Sequence, residues 1–370
     1  MNRVIILGAD GYIGWPLYNE LIKHTEVIPV DNGFRRQIDC ETRTSSATKI
    51  QSAEERFGKR VLHHVSIDER DGESFFKKFL KTKDDLTIVH LAEIRSAPYS
   101  MLSYKHAKKT IDNNINGTSN LLNAVARYKP DAHIVHIGTM GVYGYDFESN
   151  HKIGEGYHKD GTPYKYNPGS VYHMTKCMDN VMFMYYNKNF GLKITDLHQG
   201  IVWGVDTKIT REEKKPNRFD VCSNFGTVLN RLVSQAAYGI PMTVYGTGMQ
   251  KRAFINIEDS IKCLKLAIEN EPKDTSRVRV FNQVSESLRV IDIANRIKNL
   301  VPNSEISKIE NPRSEKSGNE LDVDNSSLLN LGWTPKFLDD NSLIELLEMA
   351  IMSGRKPSKH EVSPTAKWRW

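Results

Sequence analysis

Apolar and polar positions alternate along this chain in two rhythms. Short apolar, β-branched runs at Val4–Leu7, Glu26–Val30, Val61–Ile67, Leu86–Leu91, His133–Ile137 and Ile194–Gln199 predict strands. Between them, Gly14–His24 and Gly117–Tyr128 carry apolar residues at helical spacing. Strands alternating with helices predict an α/β fold with a doubly wound parallel sheet, which binds ligands beyond the carboxyl ends of its strands. Three segments interrupt the rhythm: Phe34–Arg60, Tyr145–Gly169, and Val205–Asn224 with its charge run Arg211–Lys215. Connections this long are uncommon unless functional or flexible. From Phe225 onward, Thr243–Tyr245, Arg277–Asn282 and Ser304–Glu310 predict strands, and Ile291–Leu300 and Leu343–Met349 predict helices. The pattern divides the chain into a sheet domain over 1–200, a smaller substrate lobe over 201–355 interleaved with it, and a basic mobile tail over 356–370 whose Trp368 and Trp370 can dock on a neighbour.

Composition adds boundaries rather than chemistry. At 370 residues, 39% hydrophobic and 26% charged, the chain can bury a core without disulfides. A net charge of +6 is mild for this length; it suits anionic small ligands and gives no sign of nucleic-acid binding. The four cysteines lack CxxC spacing, so reduced thiols in a cytoplasmic protein are expected rather than metal ligands. No apolar stretch is long enough to insert in a bilayer, and with a strand directly after Met1-Asn2-Arg3 no signal or transit peptide is expected within this sequence.

Gly8-Ala9-Asp10-Gly11-Tyr12-Ile13-Gly14 follows the first strand and opens a helix. Glycines there allow a tight turn and close approach to a pyrophosphate, and the helix N-terminus favours negative charge, as in a Rossmann-type domain. Asp31 ends the second strand, where a carboxylate accepts hydrogen bonds from an adenosine ribose. That favours NAD over NADP, although Arg35 and Arg36 follow closely and could meet a 2′-phosphate. Asp68 ends the third strand, facing adenine or serving as a turn or helix cap. Asn32, Glu69 and Leu91 beside these strand ends, with Asn114, complete the expected cofactor set.

Thr139 ends the fifth strand, and Tyr172 and Lys176 stand four apart on a helix face. The Lys ammonium can favour an ionised phenol, which can remove a hydroxyl proton while hydride leaves the same carbon. As a rival reading, Thr139 is a cap hydroxyl.

These three after a dinucleotide loop, with Asn114–Thr118, Arg252–Asp259 and Leu331–Pro335, resemble the extended short-chain dehydrogenase/reductase superfamily, whose substrates are usually nucleotide sugars. Sugar-nucleotide dehydratases of that group carry Asp-Glu where this chain has Met140-Gly141. Longer strings, among them Gly8–Trp15, Val30–Arg36, Glu93–Met101, Gly138–Gly144, Asp196–Gly204, Phe225–Arg231, Thr243–Arg252 and Asn311–Arg313, look like the UDP-sulfoquinovose synthase family. Plant and cyanobacterial members have Glu where this chain has Val142. The resemblance implies UDP-glucose and sulfite as substrates, bound NAD returned unchanged, and a homodimer through helices around Gly117–Tyr128 and Val171–Asn187. A sulfite-delivering partner protein is left open. It implies Thr139 on the C4 oxygen, Tyr172 as base and Lys176 on the nicotinamide ribose. His173, Glu93 and Arg95 are first in line for elimination and sulfite addition, His173 as an acid–base group or a wall residue, Arg95 as a sulfite ligand or an ion pair with Glu93. Met140 and Gly141 line the sugar pocket, and Gln199, Thr227, Asn230, Arg231, Thr243, Tyr245, Arg252 and Arg313 hold the rest of the UDP-sugar. The rivals are a 4-epimerase, another NAD-dependent sugar-nucleotide enzyme, and a non-catalytic NAD-binding protein.

Overall fold

A computed structural model describes residues 3–58, 62–63, 66–68, 70–145, 152–313, 315–316 and 319–368. Its strands are β1 (Arg3–Leu7), β2 (Glu26–Asp31), β3 (Leu62–His63), β4 (Leu86–His90), β5 (His133–Thr139), β6 (Lys152–Ile153), β7 (Lys193–Gln199), β8 (Ile201–Trp203), β9 (Met242–Tyr245), β10 (Lys251–Asn256), β11 (Arg279–Gln283), β12 (Glu286–Arg289), β13 (Ile306–Ile309) and β14 (Asp322–Val323). Seven form one parallel sheet in the order β11-β7-β5-β4-β1-β2-β3. This is the doubly wound α/β architecture that the alternating apolar runs predict.

Helices cover both faces because the central strands are apolar on both sides. On one face Val4, Ile6, Val89 and Val135 pack with Trp15 and Leu17 of the helix Gly14–Leu21 and with Ile261 and Leu264 of the helix Ile257–Glu269. On the other, Ile5, Leu7, Ile88 and Ile134 pack with Leu121 and Leu122 of the long helix Tyr104–Tyr128 and with Phe183 of Val171–Phe190. The order reverses between β1 and β4, which opens the crevice where such folds bind ligands.

The remaining strands build the lobe: β12-β10-β8, and the pairs β13-β9 and β14-β6. Its core gathers Trp203, Phe219, Leu229, Val244, Phe254, Ile293 and Leu346. The chain returns from this lobe to add β11 to the edge of the first sheet.

Two expectations need correction. The polar stretch after β2 holds the helices Phe34–Thr42 and Ala53–Phe57, the second opened by a Ser52/Glu55 capping box. The basic tail is docked rather than mobile. Val362 is buried in the lobe core, Gln235 Nε2 donates to the Val362 carbonyl at 3.2 Å, and Trp368 packs with Ala97, Met101 and Tyr172. Trp370 lies outside the described residues. Among those described, no helix is long and apolar enough to cross a membrane.

Candidate active site

The carboxyl ends of β1, β2, β4, β5 and β7 face the lobe across one cavity of about 370 Å³. Gly8, Gly11, Tyr12, Ile13, Gly14, Asp31, Asn32, Arg35, Asp68 and Leu91 line one end. Glu93, Arg95, Thr139, Met140, Gly141, Tyr172, His173 and Lys176 line the middle, and Gln199, Thr227, Arg231, Thr243, Tyr245, Arg252 and Arg313 the lobe side.

At the first end the backbone is shaped for a close guest. Gly8 has φ +85°, and a Cβ there would lie 2.7 Å from the Leu91 carbonyl. A Cβ on Gly14 would fall 2.2 Å from the Gly8 oxygen, so the helix starts hard against the loop. The Asp31 carboxylate accepts from the Asp10 N–H at 2.9 Å and the Gly33 N–H at 2.8 Å. Burial and the neighbouring Asp10 push its pKa up to about 6. These residues can hold a dinucleotide, with Asp31 for a ribose.

In the middle, Thr139 Oγ1 accepts from the Gly141 N–H at 3.1 Å and bonds the Tyr172 side chain. Lys176 Nζ lies 2.6 Å from Glu93 Oε2, 2.9 Å from His136 Nε2 and 2.7 Å from the Ile137 carbonyl. Tyr172 departs from expectation: burial raises its pKa, with Lys176, Arg95 and Thr139 pulling against that and Glu93 reinforcing it. Lys176 cannot overcome burial because its charge is largely answered by Glu93.

Glu93 is thereby corrected as an acid or base toward a substrate. Burial works to raise its pKa, but Lys176 and His136 hold the carboxyl well below the usual range. It is therefore an ionised anchor for the ammonium. Arg95 forms no pair with Glu93; its Nη2 lies 3.1 Å from Asp220 Oδ2, and its guanidinium lies over the Tyr12 ring. Asp220 also takes Arg35 at 3.0 Å and Arg218 at 3.2 Å.

His173 faces Gly141 closely. A Cβ on Gly141 would lie 2.4 Å from both Cδ2 and Nε2 of the ring, so the imidazole fills the space a side chain at 141 would need. Its Nε2 is 3.3 Å from Tyr145 OH, while the buried Nδ1 has no hydrogen-bond partner among the described residues. Burial, then Arg313 and Arg252, push its pKa down to about 3, so the ring is neutral rather than poised near neutrality as expected.

Toward the lobe, Arg252 is paired with Glu315 and lies 4.5 Å over the Tyr145 ring. Arg313 stacks on Trp368 at 4.7 Å. Arg231 donates to Thr243 Oγ1 and to the Thr243 carbonyl, and burial lowers its pKa to about 10. Among the described residues neither Arg231 nor Arg313 has a carboxylate partner, which leaves this end positive. Gln199 turns its amide nitrogen away, to Ser260 Oγ and Gln283 Oε1.

Residues 4–282 match the model of the NAD dependent epimerase/dehydratase family. The chain belongs to that family. NAD is its cofactor, in keeping with the glycine loop and Asp31. Over its whole length the chain is 36% identical to the chloroplastic UDP-sulfoquinovose synthase of Spinacia oleracea, of which it covers 79%. It is 37% identical to the UDP-sulfoquinovose synthase of Sulfolobus acidocaldarius over 99% of this chain and 98% of that one. A solved UDP-glucuronic acid 4-epimerase from Bacillus cereus shares the fold at TM-score 0.70 and 22% identity, over 95% of this chain and 99% of that chain.

Four expected ligand residues stand behind the cavity wall, and one cannot be placed. The Asp10 carboxylate is spent on Arg36 and Arg56, at 2.5 and 2.9 Å, and Arg36 is spent on Asp10 and the Gln51 carbonyl. Asn114 accepts from the Ile94 N–H at 2.8 Å and donates to Thr175 Oγ1, so it shapes the loop after β4. Asn230 accepts from the Gly204 N–H at 3.3 Å and sits 1% exposed beneath Tyr12. Glu69 lies outside the described residues.

Sequence reasoning missed His136, Asp196 and His198. His136 and Asp196 face each other in register on β5 and β7, with Nδ1 and Oδ1 2.7 Å apart. His198 Nε2 lies 2.9 Å from Asp196 Oδ2, and its Nδ1 lies 2.7 Å from Tyr143 OH. The missed signal was ionisable residues within runs that must be buried on both faces, where a charge requires a partner. Tyr145 and Pro364 were missed because they come from irregular segments, and Trp368, expected to dock on a neighbour, packs instead beside Tyr172 of its own chain.

Proposed function

We propose that this chain makes UDP-sulfoquinovose from UDP-glucose and sulfite, with NAD reduced and reoxidised within one turnover. The observation that carries the reading is the Thr139–Gly141 corner. The positions that hold an acid and a base in dehydratases are Met140 and Gly141, and the His173 imidazole fills the space of a side chain at 141. Identity with two UDP-sulfoquinovose synthases along the whole chain supports it.

NAD would be held by the Gly8–Gly14 loop and Asp31, and would supply a reversible hydride acceptor at C4 of the sugar. Tyr172 takes the C4 hydroxyl proton as its phenolate, the form that Lys176, Arg95 and Thr139 favour against burial, and Thr139 donates a hydrogen bond to the C4 oxygen. The resulting ketone acidifies C5–H. Neutral His173 takes that proton and delivers it to O6 as the C6–O bond breaks, releasing water. Hydrogen sulfite then gives its proton to the neutral His173 ring as its sulfur bonds to C6 of the conjugated ketone, His173 passes that proton to C5, and Tyr172 returns its proton to O4. Arg95 meets the sulfite oxygens by charge-assisted hydrogen bonds. Arg231, Arg252 and Arg313 take the diphosphate. Neutralising Arg313 and Arg252 in this way removes one cause of the low His173 pKa, so substrate binding makes the base stronger.

The protein acts as a cytoplasmic homodimer in this reading. The helices Tyr104–Tyr128 and Val171–Phe190 leave Tyr104, Met178, Val181 and Tyr185 exposed on an apolar face, and no cysteine is paired. The test is incubation of the purified protein with UDP-glucose and sulfite, followed by mass spectrometry. A sulfonated UDP-sugar is expected; UDP-galactose without it would mark a 4-epimerase instead.

A further inference from the structure

Lys176 has three N–H donors, and three acceptors surround it. Glu93 Oε2 lies at 2.6 Å, the Ile137 carbonyl at 2.7 Å and His136 Nε2 at 2.9 Å. If all three are engaged, no N–H remains for anything in the cavity. The third contact has an alternative, because His136 Nε2 is also 3.0 Å from Glu93 Oε1. A bare Nε2 accepts from Lys176; a protonated Nε2 donates to Glu93 and leaves one Lys176 N–H free. The other ring nitrogen, Nδ1, is fixed by Asp196 Oδ1 at 2.7 Å.

We infer that His136 is a positioning residue for the redox step: clamped by Asp196 and donating to Glu93, it leaves Lys176 one N–H that points to the cavity beside Tyr172. The inference rests on the reading of Lys176 as a cofactor and tyrosine partner, but not on the use of sulfite.

The surroundings favour the doubly protonated ring. Facing His136 are His90 from β4, with ring centroids 5.5 Å apart, Glu93 from the following loop, and Lys176 and Asp179 from the helix Val171–Phe190. From β7 come Asp196 and, through it, His198. Burial and Lys176 oppose the charge, but Asp196 and Glu93 outweigh them and raise the His136 pKa to about 9. His90 is held neutral, lowered to about 3 by burial, and so adds no competing charge. Raising the pH through the His136 pKa removes the Nε2 proton, turns Nε2 into an acceptor and withdraws the Lys176 donor.

The experiment measures UDP-glucose-dependent NADH formation and NAD affinity across neutral and alkaline pH, without sulfite. Wild type is expected to lose rate on an alkaline limb. His136→Gln keeps an amide donor for Glu93 and does not titrate, so it should remain within about tenfold of wild type and lose that limb. His136→Ala should fall at least about tenfold below His136→Gln. Asp196→Asn removes the carboxylate that holds the ring proton and should move the limb to lower pH. A limb unchanged in His136→Gln, or equal rates for the Gln and Ala variants, overturns the inference. Should the variants fail to fold, NMR of the NAD-bound wild type with labelled histidine decides it: a ring protonated on both nitrogens at neutral pH supports the inference, and a neutral ring overturns it. NADH formation without any sulfonated product would defeat the proposed function and leave this inference standing.

Discussion

Replacing Gly141 with alanine should disable the sugar chemistry while sparing the cofactor end. The new Cβ would lie 2.4 Å from Cδ2 and Nε2 of His173 and 3.0 Å from its Cγ, where ordinary contact begins at 3.4 Å. The ring must therefore retreat by about 1 Å. It has little room, being 5% exposed and flanked by the Tyr145 and Tyr172 rings at 5.7 and 5.2 Å. Overpacking of this kind costs about 1–3 kcal/mol, or a few degrees in Tm for a chain of this size. A displacement of about 1 Å at a reacting group costs about 100-fold in turnover. The assays are thermal unfolding, NAD binding by titration, and turnover read by mass spectrometry, for Gly141→Ala, His173→Ala and the double variant. Removing the imidazole empties the contested space, so the stability cost of Gly141→Ala should fall by at least about 1 kcal/mol in the His173→Ala background. A Gly141→Ala enzyme as stable and active as wild type would refute the reasoning, as would an undiminished cost in that background.

Four further outcomes are expected. Tyr172→Phe should lower NADH formation by about 100-fold or more while NAD affinity holds, which stopped-flow absorbance and calorimetry will show. NAD affinity should weaken as pH falls through about 6, where Asp31 takes up a proton, and Asp31→Asn should remove that dependence in a calorimetric titration. Arg313→Ala should raise the KM for the UDP-sugar by about tenfold or more, because a guanidinium with no carboxylate partner among the described residues is lost from the positive end, with kcat less affected; steady-state kinetics with varied UDP-glucose will show the split. Stability should fall on acidification. His90, His133 and His173 have folded pKa values lowered by burial to about 3, from 6.5. Between those values the unfolded chain binds more protons, so stability is lost as pH falls; three such rings give a slope of up to about 4 kcal/mol per pH unit near pH 5, measurable by urea unfolding. His136 works in the opposite sense, its contribution being lost as pH rises through about 9.

The central sheet was legible because strands covered on both faces are apolar throughout: β1, β2, β4, β5 and β7 begin and end within two residues of the runs that predict them. The helix expected at Gly117–Tyr128 begins at Tyr104, since its first turns carry Lys105, Lys108 and Lys109 on a solvent face and show a weaker apolar rhythm. The helix Ala53–Phe57 had a readable signature in Ser52 and Glu55, but its polar composition suggested a loop. At the site, residue types at strand ends located Thr139 and Asp31 on the cavity, and the helical spacing with Lys176 located Tyr172. What spacing does not reveal is which partner a charge will choose. Glu93 and Arg95 are two residues apart, yet one turns to Lys176 and the other to Asp220, more than a hundred positions away along the chain. The Asp10 and Arg36 pair is likewise set by the path of the chain after β2.

The docked segment around Trp368 has a consequence for the order in which the pocket is assembled. Pro364 lines the cavity, and Trp368 stacks on Arg313 and packs with Tyr172. These residues leave the ribosome about 80 positions after β11 completes the central sheet (283 to 364), a delay on the order of 10 s. The dinucleotide crevice can therefore form, and be loaded, on a nascent chain whose sugar-nucleotide side still lacks a wall. Nicking this segment in the finished protein would return it to that earlier stage, with the sheet intact and the UDP-sugar side open.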